Sequence, residues 1–65
     1  MNITEKQKKL VQTYLKKAYT DIYQLLLDLD NKIKEIGFDE NYDLNEEGRL
    51  LQRLYDDLYY QNSEI

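Results

Sequence analysis

Apolar residues return at Val11, Leu15, Ala18, Ile22, Leu25, Leu29 and Ile36, in steps of 4, 3, 4, 3, 4 and 7. That alternation puts one side chain on the same helix face at each turn, whereas a strand would need a period of two. No proline interrupts it anywhere in the chain. Lys32 falls on the skipped position, and Ile33 beside it keeps the stripe apolar. A second stripe runs through Leu44, Leu51, Leu54, Tyr55 and Leu58 toward Ile65. The pattern therefore predicts an all-α protein.

Boundaries follow from capping chemistry. Thr4 and Gln7 have the spacing of a capping box. Gly37 suits the position just past a helix end, where left-handed backbone is common. One long helix is expected from about residue 5 to 36, with a loop over 37–43. Asp43 and Glu46 then make a second capping-box pair, and Glu46 and Glu47 suit the positive end of a helix dipole. The second helix is expected over about 44–62. Gly48 inside it costs roughly 1 kcal/mol relative to alanine, which points to a close helix approach or a frayed first turn.

The expected fold is an antiparallel helical hairpin spanning residues 1–65 as one domain. The two helices differ in length, so Leu10, Val11, Tyr14 and Leu15 are left uncovered. A second copy making a four-helix bundle would cover them. The alternative is a three-helix monomer with a break near residues 18–21, where Thr20 or Asp21 would cap a new helix. Size favours association: a chain of 65 residues buries only about 60% of its unfolded surface. There is no Cys for a disulfide or thiolate metal site, and no His. No cofactor or metal is expected.

The net charge of −4 is unevenly spread. Residues 1–27 carry five lysines (6, 8, 9, 16 and 17) against Glu5 and Asp21; residues 28–65 carry four basic against eleven acidic residues. Such a split suits self-pairing or a charged partner. No apolar run approaches the ~20 residues of a membrane span, and the segment MNITEKQKKL lacks the apolar core of a signal peptide. A cytoplasmic protein with no membrane contact is the expectation.

Tyr55-Asp56-Asp57 resembles, in those three residues, the metal-binding signature of template-copying polymerases. That resemblance implies a β-hairpin in a far larger domain. Here Leu51, Leu54, Tyr55 and Leu58 share one helix side, so the two carboxylates point outward about 100° apart. Asp39, Asn41 and Asp43 match the first ligand positions of an EF-hand loop, but Leu44 stands where glycine is needed and Leu50 where a bidentate glutamate is needed. No nucleophile–base pair or phosphate-binding loop is present, so the chain is not expected to be an enzyme.

Seven tyrosines are the least ordinary feature: 14, 19, 23, 42, 55, 59 and 60. Tyrosine is favoured where an apolar body is covered and a polar tip stays wet. The expected partner-binding residues are Tyr55, Asp56, Asp57, Tyr59 and Tyr60, contacting a protein partner. A secondary surface is expected at Lys9, Tyr14, Lys16 and Lys17. These readings make the chain an acidic interaction module, a regulator or inhibitor, of a size and composition that suit a phage or other mobile element. The competing reading is a dimeric nucleic-acid binder using the lysine-rich first helix.

Two resemblances accompany this reading. The length, the Glu5-Lys6 start and the Leu26–Asp30 segment resemble the plasmid RNA-binding Rop family, which implies a helical hairpin that dimerises and binds RNA. Gln52-Arg53-Leu54-Tyr55-Asp56 resembles, around Leu54 and Asp56, the Ser-Gln-Glu-Leu-Asp segment of a sporulation-phosphatase family, without its Ser. Neither resemblance assigns a role to a particular residue here.

Overall fold

A computed structural model describes residues 1–63. Three helices account for most of them: α1 (Glu5–Leu15), α2 (Ile22–Ile36) and α3 (Glu46–Asn62). Among the described residues there is no strand, only an isolated bridge between Phe38 and Leu44. None of the helices is long and apolar enough to cross a membrane. Ile65, the last position of the second stripe, lies outside the described residues.

The all-helical expectation holds, but the continuous helix over 5–36 does not form. Lys16 takes left-handed backbone (φ 53°) and its N–H closes on the Gln12 carbonyl at 3.0 Å, ending α1. Asp21 then caps α2, its carboxylate accepting from the Tyr23 N–H at 3.0 Å. The physical reason is burial. Folding α1 back takes Val11 to 4% exposure and packs Leu10, Tyr14 and Leu15 partly against the same core. Burying one such side chain fully is worth about 1.5–3 kcal/mol. Left-handed backbone at a non-glycine residue costs about 1–3 kcal/mol, so the combined burial offsets it.

The core is one cluster drawn from all three helices: Val11 with Leu25, Leu26, Leu29 and Ile33 of α2, and Leu51, Leu54 and Leu58 of α3. It contains no buried polar or charged residue. The α1 N-terminus carries the expected capping box, with Thr4 and Gln7 bonded reciprocally.

α2 and α3 run antiparallel and touch most closely where α2 ends and α3 begins. Gly37 and Gly48 are both buried there. Gly37 is not left-handed, as a helix-ending glycine often is; it has φ −88°. Its lack of a side chain is needed for proximity: a Cβ on it would come 3.0 Å from the Gly48 Cα and 2.5 Å from the Ile33 carbonyl oxygen. The close-approach expectation for Gly48 is the one the structure supports.

The expected Asp43–Glu46 cap is replaced by Asn45, and α3 starts at Glu46 rather than 44. Asn45 can do what Asp43 cannot. Its side-chain oxygen accepts from the Gly48 N–H at 2.7 Å, while its NH2 donates to the Ile36 carbonyl at 2.8 Å. One side chain thus satisfies an orphan donor of α3 and an orphan acceptor of α2. The loop between is ordered by Asp39, whose carboxylate accepts from the Asn41 and Asp43 N–H groups.

At the far end of the pair, α1 is tied to α3. The side-chain amides of Gln7 and Gln61 bond each other in both directions, at 2.6 and 3.0 Å. Asn62 accepts from the Asn2 N–H at 2.6 Å and donates to the Asn2 carbonyl at 2.9 Å.

Candidate protein-interaction surface

The expected binding residues all lie on the last two turns of α3, but they fan out around the helix. Adjacent helical residues diverge by about 100°, and the packing assigns each to a side. Tyr55 is half-buried and packs against the core. Asp57 lines a shallow groove between α1 and α3 with Lys6, Leu10, Leu50 and Arg53. Tyr59 lines a different groove, between α2 and α3. Asp56 and Tyr60 are exposed and line neither groove; the Asp56 carboxylate accepts from the Gln52 amide at 3.2 Å. The two carboxylates of the Tyr-Asp-Asp stretch therefore do not converge. Among the described residues no three acidic groups come together as metal ligands would.

The groove between α2 and α3 holds about 550 Å³ and is lined by Ile22, Tyr23, Leu26, Tyr59, Asn62 and Ser63. No residue of α1 contributes to it. Tyr23 was not among the expected binding residues. Its signal in the sequence was its i, i+4 spacing from Tyr19 and Leu27, which places Tyr23 and Leu27 on one helix side.

The seven tyrosines divide cleanly. Tyr14, Tyr19 and Tyr55 are half-buried around the core. Tyr23, Tyr42, Tyr59 and Tyr60 are exposed, at 80, 87, 55 and 79%. Tyr59 and Tyr60 stand edge to face, with ring centroids 6.3 Å apart. Edge-to-face contact is one of the geometries that aromatic pairs favour.

Tyr19 turns toward the segment joining α1 and α2. Its hydroxyl donates to Asp28 at 2.5 Å, and Asp28 also accepts from the Gln24 amide at 3.0 Å. Lys17 lies 3.9 Å from the same carboxylate and 5.4 Å from the centre of the Tyr19 ring. Burial, then the hydrogen bond and the negative charge of Asp28, push the Tyr19 hydroxyl up to about 12. The same hydrogen bond, aided by Gln24 and Lys17, outweighs desolvation and holds Asp28 below the usual carboxylate range. The cluster fixes the connection between α1 and α2.

That accounts for part of the expected secondary surface. Lys17 is engaged by Asp28 and Tyr19, Tyr14 packs toward the core, and Lys16 is the left-handed cap. Lys9 is exposed on α1, its carbonyl accepting from Thr13.

Comparison with family models, with curated proteins and with solved structures finds no match for this chain.

Proposed function

We propose that the chain is a small regulatory interaction module that acts by binding a protein partner, as an inhibitor or adaptor, rather than by catalysis. The contact surface is the outer side of α3 at its C-terminal end: Tyr60 and Asp56 at the centre, with Tyr59 and Asp57 at either edge. The observation that carries this reading is the Tyr59–Tyr60 pair, two rings that meet edge to face yet are 55 and 79% exposed. Tyrosine offers a large contact area with few rotatable bonds to order on binding, and such aromatic residues are enriched among those that dominate affinity at protein interfaces. The partner is basic, because acidic residues outnumber basic ones by 13 to 9 and Asp56 and Asp57 flank the rings. Those carboxylates speed encounter more than they tighten the complex.

The test compares host-cell proteins retained by the wild-type chain and by Tyr60→Ser. Tyr60 is too exposed for the change to disturb folding, which circular dichroism would verify. The expected result is a partner retained by the wild type and lost with the variant. Identical retention by both would remove the reading.

A further inference from the structure

We infer that the cavity between α1, α2 and the segment joining them is a binding site for a small apolar carboxylate. The α3 contact surface takes no part in it, so this site and the partner-binding reading stand or fall separately.

The course of the chain makes the cavity. α1 ends at Leu15 and α2 begins at Ile22, so residues 16–21 form a strap that is fastened to α2 where Lys17 and Tyr19 meet Asp28. The space left between the strap and the two helices measures about 310 Å³, and no residue of α3 lines it. Small-ligand sites span about 300–1,000 Å³. Most of the wall is apolar. Val11 and Leu25 line it although they are only 4 and 0% exposed, so its floor is continuous with the core. Ile3 and Ala18 add apolar sides. A ligand seated there extends a core that a short chain leaves small.

Charge selects the class of ligand. Lys8 and Lys17 are the charged side chains of the wall, and no carboxylate lines it. Lys8 lies 3.8 Å from Glu5 and Lys17 3.9 Å from Asp28, and the two lysine side chains stay 59 and 60% exposed. Long, exposed pairs of this kind hold weakly, so either ammonium can turn to an anion in the cavity. The Tyr19 hydroxyl is committed to Asp28. The wall thus offers hydrocarbon and positive charge together, which fits an anion on an apolar body. The volume equals about ten water-sized groups, the size of a medium-chain carboxylate such as octanoate.

An NMR titration of the amide signals tests this, with octanoate, octanol and octylamine as probes. Octanoate should bind with a Kd of about 1 mM or below, as expected for a ligand of that size. The shifts should centre on Val11, Ala18 and Leu25. Octanol should bind about tenfold more weakly, because two exposed charge contacts are lost, and octylamine more weakly still. Ala18→Leu puts a larger side chain on the wall at an exposed position and should abolish binding. Lys8→Gln with Lys17→Gln should bring octanoate and octanol to equal affinity. Unchanged helical circular dichroism separates both effects from unfolding. The inference is overturned if octanoate gives no saturable shift at low millimolar concentration, or if its shifts centre outside the cavity. Equal binding of octanoate and octanol by the wild type, or undiminished binding by Ala18→Leu, overturns it as well.

Discussion

Gly37 and Gly48 meet backbone to backbone: a Cβ placed on Gly48 would lie 2.1 Å from the Gly37 carbonyl oxygen and 2.9 Å from its carbonyl carbon. Neither atom belongs to a flexible side chain, so α2 and α3 would have to separate. Alanine in mid-helix normally gains about 1 kcal/mol over glycine. Here the steric cost reverses that sign, and Gly48→Ala should lose about 1–3 kcal/mol. Urea denaturation of the two proteins checks it; an unchanged or higher midpoint would contradict the contact.

Tyr42 presents the opposite case. It has φ 63° and its ring is 87% exposed. Left-handed backbone at a bulky residue costs about 1–3 kcal/mol, and almost no packing is at stake. Tyr42→Gly should therefore stabilise by about 0.5–1 kcal/mol, after allowing for the freer unfolded chain. Thermal unfolding reads the change directly.

The Tyr19–Asp28 hydrogen bond makes stability depend on pH at both extremes. Asp28 titrates below its ordinary value in the folded state. Its contribution is therefore complete above the usual carboxylate pKa and is lost as pH falls through the folded value. Tyr19 is raised from 10.0 to about 12. The folded chain holds that proton more tightly, so the contribution is complete below pH 10 and declines as pH rises from there through about 12. Tyr19→Phe should flatten the alkaline decline and reduce the acid one. Urea midpoints across pH, for wild type and variant, would show equal slopes if the pair were unimportant.

Gln61→Ala removes both amide bonds to Gln7. A net loss of about 1–2 kcal/mol is expected for two such bonds. The loss should be uneven: α1 amides exchange hydrogen faster, while the centres of α2 and α3 change less. Hydrogen-exchange mass spectrometry on the pair of proteins distinguishes this from uniform destabilisation.

Much of the architecture was legible in the sequence because it depends on local chemistry. The Thr4–Gln7 cap and the two apolar stripes are such features, and Asp21 was visible as a possible cap. The break between α1 and α2 was legible only as the three-helix alternative, placed near residues 18–21; its start at Lys16 was not, since no glycine, proline or asparagine marks it. It exists because Val11 and its neighbours gain a core by turning back, and that gain depends on where α3 sits. Asn45 prevailed over Asp43 for a related reason. Both can cap a helix, but only the amide can also donate to Ile36, a residue nine positions away. At the surface, helical spacing gave Asp56 and Asp57 their divergence. Which tyrosines stay exposed followed from α1 covering one side of the α2–α3 pair, and no short window of sequence carries that information.

The Asn2–Asn62 bonds have a topological consequence. They close the backbone between them into a ring held only by amides. Bringing the ends of a segment that long together costs about 4 kcal/mol of chain entropy, which the native fold meets each time it forms. A short peptide linker joining the two ends would meet that cost once, covalently, and new ends opened at Asn41 would fall in a loop away from the core. A circularly permuted chain of this kind should keep the three helices while changing the order in which they are made.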